Sequence, residues 1–421
     1  MRDFSSFSVL DIGSNSIRLV IYNKKIKSAI PIFNEKTQCG LGKNLRFSSK
    51  LSKDSCTKAL KAIERYIQIS ESMQSELFIV ATAAVRDAED GKAFVKKINN
   101  SYNVKVNILS SKEEARFSCL GVMSSFKNPS GLIGDLGGGS LELASSRDTN
   151  FNETATLPLG ILKFEGDLRR KKYLVEVIDS YLDKSRWLVN EKNRSFYAIG
   201  GAWRSLAKVF INWSNHPISV IHNYEISFKE ALDLCKVLSN LSYSLKSMSF
   251  ISKPRRRSVS YSSLLLERIL LKVEPKKIFF SSYGIREGIL YDQLGDTEKK
   301  QDSLILYCNE ISKNESRFYN NILNFYKWIL PLLNNFPETE LRLVKAICIL
   351  SDIAWKIHPS FRAEFAFKRS IYAPFVEVDH SERVYIAKTL FKRYRGNFEE
   401  INDFNILKSE QLKRASIVGT A

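Results

Sequence analysis

Over the first 300 or so residues, short apolar runs alternate with longer helical patterns; beyond them the pattern is helical alone. Residues 7–33 read as three strands, with alternation in SVLDIG and IRLVIY. After a polar loop through Lys43, Ala59, Leu60, Ile63, Ile67 and Ile69 recur near helical spacing and predict a helix from Ser52 to Ser72. ELFIVAT (76–82) and VKVNILS (104–110) predict short buried strands, with a helix between them that starts near Gly91. Strand, helix, strand in that order implies a sheet covered by helices.

A second α/β segment starts near residue 126. In GLIGDLGGGSLELA (131–144) an apolar approach meets Asp135, three glycines and Ser140, then alternating apolar and acidic residues, which predicts strand, tight turn, strand. TATLPLG continues as a strand, helices follow over 160–190, and SFYAIGGAWRSLAKVF enters a helix through Gly200 and Gly201. KKIFFSSYGIREGILYDQL (276–294) gives a strand, a turn at Gly284 and a helix, and polar DTEKKQDS reads as a linker. From about 303 onward two stripes, Phe318/Ile322/Phe325/Ile329/Leu332 and Leu341/Val344/Ile347/Leu350/Ile353/Ala354, predict core-facing helices. The expected domains are therefore 1–125, 126–300 and an all-helical 301–421.

The glycine turn carries the first candidate chemistry. Gly137, Gly138 and Gly139 lack the Cβ that forbids positive φ, so the turn is free to aim successive N–H groups at one anion. Asp135 and Glu142 would then stand near a bound phosphate, placed to hold Mg²⁺ or a water. VLDIGSNSIRLV (9–20) repeats the design: Asp11 falls on Asp135, Gly13 on Gly137, Ser16 on Ser140 and Leu19 on Leu143, with Ser14 and Asn15 adding polar groups. Two such hairpins a domain apart imply two like-built lobes that grip a polyphosphate group from both sides of a cleft.

Two further residues stand out. Arg86 lies just past the carboxyl end of the 76–82 strand, where ligands collect in covered sheets; the alternative is a surface ion pair with Glu89 or Asp90. In SSKEEAR (110–116) either Ser110 with Glu113 or Ser111 with Glu114 makes a capping box. If Ser110 caps, Glu114 is left to point into the cleft.

DIGSNS (11–16), TAAVRDA (82–88), SSKEEAR (110–116), GDLGGGSLEL (134–143) and AIGGAWR (198–204) together resemble the exopolyphosphatase and guanosine pentaphosphate phosphatase family of the actin-like ATPase superfamily. That resemblance implies two ribonuclease-H-like lobes, Glu114 as the base that activates water, Arg86 on the transferred phosphoryl group, and Mg²⁺ on Asp135 and Glu142 with Asp11. At a helix N-terminus Glu114 is expected to stay ionised at neutral pH. Gly200 and Gly201 match the place where the superfamily approaches adenosine, but Trp203 and Arg204 follow with bulk. Where related helical domains carry a His-Asp metal pair, this chain has Ser351 and Asp352, with His358 and His380 nearby, so no second metal site is expected. A homodimer is implied by the resemblance alone.

Composition narrows the partners. With 44% hydrophobic and 26% charged residues the chain is globular, neither disordered nor fibrous. A net charge of +19 favours a polyanion, with basic clusters at Arg169–Lys172, at Lys253 and Arg255–Arg257, and at Lys388, Lys392, Arg393 and Arg395. No helix-turn-helix, zinc-finger or RNA-binding signature accompanies them, so no specific nucleic acid is expected. The absence of a signal peptide or an 18-residue apolar run makes a cytoplasmic location the default, and the six scattered cysteines are expected to be reduced. The expected activity is exopolyphosphatase, with guanosine pentaphosphate hydrolysis as the rival substrate. A kinase or ATPase, or a non-catalytic polyanion-binding regulator, are rivals of other classes.

Overall fold

The computed structural model describes residues 6–421 except 44, 46–47, 148–149, 165–170, 241–250, 252 and 402. Arg169 and Arg170, and the side chains of Lys253 and Ile322, lie outside what is described. The chain divides into two compact units, 1–210 with 224–299, and 211–223 with 300–421.

Alternation in the first unit produces β1 (Ser6–Ile12), β2 (Ser16–Tyr22) and β3 (Pro31–Gln38) as an antiparallel meander, and β4 (Ser75–Ala81) and β5 (Val106–Ile108) add in parallel. The sheet order is β3-β2-β1-β4-β5. One face buries Leu10, Ile12 and Leu19 under Ala59, Ile63 and Tyr66 of α1 (Lys53–Ser72), with Phe94 and Ile98 of α3 (Gly91–Tyr102); short α2 (Ala83–Asp87) precedes α3. The other face, through Phe7, Val9 and Val80, meets α4 (Ser111–Met123) at Phe117 and Leu120.

The second sheet repeats that order. β6 (Gly131–Leu136), β7 (Leu141–Arg147), β8 (Asn150–Leu157), β9 (Ser195–Ile199), β10 (Tyr224–Ser227) and β11 (Lys277–Phe280) lie as β10-β11-β9-β6-β7-β8. Without edge strand β10, the sequence β8-β7-β6-β9-β11 superposes in topology on β3-β2-β1-β4-β5. Its helices are the short α5 (Ile161–Phe164), α6 (Lys171–Lys184), α7 (Gly201–Trp213), α8 (Phe228–Asn240), α9 (Lys253–Val273) and α10 (Ile285–Asp292). α4 and α10 each follow the fifth strand of the shared order, and they pack on one another backbone to backbone. A Cβ on Gly288 would fall 1.8 Å from the Phe117 carbonyl oxygen, and one on Gly121 would fall 2.3 Å from that of Gly284. The predicted linker at 296–303 contains a helical turn, α11 (Asp296–Lys299).

In the second unit, α12 (Ser303–Glu315), α13 (Ile322–Ile329), α14 (Glu338–Leu350), α15 (Arg362–Ile371), α16 (His380–Arg393) and α17 (Ser409–Thr420) form an all-helical body. The 341–354 stripe is core, as predicted: Val344, Ile347 and Leu350 are buried. Of the 318–332 stripe only Ile329 is buried among the described side chains. Phe318, Phe325 and Leu332 are exposed, because 3-10 turns at Tyr319–Asn321 and Leu330–Leu333 flank an eight-residue helix and leave no single long face. Asp352 is held by Arg317, His358 caps a 3-10 turn, and the His380 ring meets His216 at 2.7 Å. All six cysteines are free thiols.

Candidate active site

Both glycine turns close in the same way, with Gly13 N donating to Ser16 O at 3.0 Å and Gly137 N donating to Ser140 O at 3.0 Å. They also touch each other: a Cβ on Gly138 would lie 3.2 Å from Ser14 Cβ, and one on Gly139 would lie 3.1 Å from Ala83 Cβ. Tight space, not backbone conformation, favours glycine here, since none of Gly13 and Gly137–Gly139 adopts positive φ. That corrects the expectation from sequence. The N–H groups of Ser14, Asn15, Gly138 and Gly139 donate to no acceptor among the described residues, so they remain available to an anion.

The two turns line one cleft of about 390 Å³ within the first unit, together with Asp11, Glu114, Asp135 and Glu142. Register explains how the carboxylates arrive. Residues directly opposite on neighbouring strands share a sheet face. In the first sheet this gives a row Asp11–Arg18–Lys36 across β1, β2 and β3; in the second it gives Asp135–Glu142–Thr156 across β6, β7 and β8. Arg18 and Lys36 thus stand in the cleft wall, joined by Arg204 of α7, Arg255 and Arg257 of α9, and Arg286 of α10. Sequence reasoning passed over Arg18, Lys36, Arg204 and Arg286. Arg18 occupies in the first hairpin the place of Glu142 in the second, a signal that was present in the aligned motifs. Lys36 needed the register to β3.

The capping alternatives resolve cleanly. Ser110 Oγ accepts from Glu113 N while a Glu113 carboxylate oxygen accepts from Ser110 N at 2.8 Å, which leaves Glu114 to enter the cleft, buried. Arg86 Nη1 donates to Glu114 Oε2 at 2.6 Å and to Leu109 O at 3.1 Å, and its Nε reaches Asp87. The ion pair imagined with Glu89 or Asp90 does not form; Arg86 grips the candidate base instead. Burial, opposed by Arg86 and reinforced by Asp135 and Asp11, pushes the Glu114 carboxyl up to about 7. At neutral pH Glu114 is thus only partly ionised, where the helix end alone was expected to keep it ionised, because desolvation outweighs the dipole.

The remaining carboxylates differ in what holds them. Asp11 accepts from Arg286 Nη1 at 2.9 Å. Asp135 accepts from Ser118 Oγ at 2.6 Å, and burial raises its carboxyl above the usual range. Glu142 is raised well above that range, by burial first and then by the charges of Glu114 and Asp135, and its Oε1 is buried without a partner. A buried, partnerless carboxylate oxygen beside a second carboxylate fits a hard cation, which needs one or two such groups plus water and phosphate oxygens. Among the described residues no three acidic, histidine or cysteine groups converge on one point, and Asp11 is drawn to Arg286.

At the far end of the cleft Trp203 does not supply the bulk expected of it. Its ring is fully buried against Phe196, and its Nε1 donates to Ser262 O at 3.2 Å. Arg204 occupies the wall beside Gly200 and Gly201 instead.

Duplicated sheets of one strand order, with facing glycine turns between them, define a two-lobed protein of the actin-like ATPase fold. Residues 20–297 match the Ppx/GppA phosphatase family and 320–420 match the exopolyphosphatase C-terminal domain. The chain belongs to the Ppx/GppA phosphatase family. It is 25% identical to Retrograde regulation protein 2 of Saccharomyces cerevisiae, over 96% of this chain and 75% of that one. It is 24% identical to the guanosine-5'-triphosphate,3'-diphosphate pyrophosphatase of Pseudoalteromonas translucida, over 91% and 80%. A solved exopolyphosphatase from Cytophaga hutchinsonii shares the fold, with a TM-score of 0.59 and 21% identity over 68% of this chain and 96% of that one.

Proposed function

We propose that the chain hydrolyses the terminal phosphoanhydride bond of inorganic polyphosphate and releases orthophosphate. The observation that carries this reading is geometric: Glu114, a buried carboxylate held by Arg86 and pushed up by burial to about 7, stands in the same cleft as both glycine turns. A base tuned near the working pH takes a proton efficiently.

Free N–H groups of the two turns hold the terminal phosphoryl oxygens. Glu114 orients a water and accepts its proton as the water oxygen bonds to phosphorus and the bridging P–O bond breaks, leaving the shortened chain with the bond electrons. Phosphoryl transfer depends on positioning and charge neutralisation more than on base strength. Arg86 contributes through Glu114, whose carboxylate it fixes in place. Asp135 and Glu142 are the residues that would hold Mg²⁺, which when bound neutralises phosphate oxygens; Asp11 would join only by giving up Arg286.

Intact chain with Mg²⁺ should release orthophosphate from long-chain polyphosphate, and excess EDTA should abolish that release. Full activity in EDTA removes the metal from this reading. Guanosine pentaphosphate ends in the same anhydride, and the similarity to a guanosine pentaphosphate-type pyrophosphatase keeps it as the second substrate. Side-by-side rates on the two compounds decide between them. The homodimer and the cytoplasmic location belong to the same reading, and sedimentation of the intact chain tests the first. No helix among the described residues is long and apolar enough to cross a membrane.

A further inference from the structure

The two aspartates that lead the glycine turns are equivalent in topology but are held by different chemistry. Asp11 of the first sheet accepts from Arg286 Nη1 on α10, and Asp135 of the second accepts from Ser118 Oγ on α4 at 2.6 Å. Since α4 follows the first sheet and α10 ends the second, each helix reaches across to the aspartate of the other sheet. The close packing of Gly121 on Gly284 and of Gly288 on Phe117 sets the spacing at which both contacts form.

A serine inside a helix ordinarily returns its hydroxyl to a carbonyl three or four residues back. Ser125, just past the end of α4, does so to Gly121 O, Ser205 to Gly201 O, and Ser262 and Ser263 to Val259 O. Ser118, buried in the middle of α4, gives its hydroxyl to a carboxylate instead. It lies one turn after Glu114, so a single face of α4 presents both the candidate base and the hydroxyl that holds Asp135.

The Asp135 carboxylate is boxed in as well as held. A Cβ on Gly200, whose φ is +99°, would stand 2.9 Å from Oδ1, and one on Gly284 would stand 4.0 Å from Oδ2. Ser118 engages Oδ2, and among the described residues Oδ1 accepts no hydrogen bond. Glu142, directly opposite in the β6–β7 register, has its Oε1 buried without a partner. Two neighbouring carboxylates therefore each keep one oxygen unengaged. A neutral hydroxyl fixes the orientation of a carboxylate without cancelling its charge, whereas a guanidinium, as at Asp11, competes with a cation for the same oxygens.

We propose that Ser118 is a positioning residue: its hydroxyl sets Asp135 so that the other carboxylate oxygen is left, with Glu142, for a divalent cation. This deepens the hydrolase reading and rests on it only for the presence of the cation, not for the identity of the substrate.

Titration of the intact chain with Mn²⁺, read from the paramagnetic resonance signal of the free ion, measures the cation site without turnover. Ser118→Ala should weaken Mn²⁺ by about tenfold to a hundredfold, the usual cost of losing a partner that orients a ligating group, while Ser118→Thr, which keeps the hydroxyl, should bind close to wild type. The Mg²⁺ concentration for half-maximal orthophosphate release should rise by the same factor in Ser118→Ala, with release restored at saturating Mg²⁺. A hydroxyl that served packing alone would lower the melting temperature and leave both metal curves unmoved. Unchanged Mn²⁺ affinity in Ser118→Ala, or equal losses in the alanine and threonine variants, overturns the positioning role, as does a wild-type chain that takes up no Mn²⁺. Mn²⁺ binding that depends on Ser118 in a chain without hydrolysis keeps the positioning role and removes the hydrolase reading. Hydrolysis with metal curves unaltered in Ser118→Ala does the reverse.

Discussion

The hairpins β1–β2 and β6–β7 share their turn, their closing hydrogen bond and their place in the sheet, yet they point opposite charges into the cleft. One row runs Asp11–Arg18–Lys36 and the other Asp135–Glu142–Thr156. The repeated backbone delivers two sets of N–H donors to one point. The cross-strand partner of each aspartate then decides what its lobe does. Opposite Arg18, and held by Arg286, Asp11 is neutralised and its wall is cationic, suited to substrate. Opposite Glu142, Asp135 keeps an acidic wall that suits a metal and the chemistry.

Breaking the acidic row should cost the most. Glu142→Gln removes the carboxylate whose Oε1 has no partner and is expected to lower orthophosphate release by roughly 10²–10³, the usual worth of a group that stabilises developing charge; a steady-state assay at fixed Mg²⁺ measures this. Next comes pH. With Glu114 titrating at about 7, kcat/KM should fall about tenfold per unit below that value and level off above it, since the base works deprotonated. Breaking the basic row should act on binding alone: Arg18→Gln is expected to raise KM for polyphosphate about tenfold, with kcat within about twofold. A fall in kcat that equals the loss in kcat/KM would dissolve the distinction between the rows.

The smallest effect concerns stability and has the opposite sign. The Glu142 carboxyl is raised in the folded chain, so the unfolded chain ionises it at lower pH; ionisation therefore costs stability as pH climbs from the ordinary carboxylate range. Glu142→Gln escapes that cost and should melt a few degrees higher than wild type at pH 8, with the difference vanishing near pH 4. A lower melting point at pH 8 would mean that the carboxylate contributes to the fold.

Local chemistry was legible in the chain, and its limits were physical. Of the two capping boxes the spacing allowed, Ser110 with Glu113 formed and freed Glu114, and the two aspartate-led turns met as their repetition implied. Burial was not legible, and it raised the Glu114 carboxyl against the helix end, because desolvation depends on what packs around that end. The glycines were marked for their conformational freedom, whereas what favours them is the close approach of Ser14 and Ala83, which crowds a Cβ. Arg286 lies 275 positions from Asp11, and only the packing of α10 on α4 brings the two together. The exposed Phe318 and Phe325 show a helical period that does not run along one helix, since the 3-10 turn at Tyr319–Asn321 stands between them.

The most direct test sets polyphosphate binding beside orthophosphate release for Glu114→Gln in the intact chain. A water-orienting base on the acidic wall predicts binding within about twofold of wild type and turnover lower by roughly 10²–10⁴. Turnover equal to wild type, or binding lost in step with turnover, would contradict it.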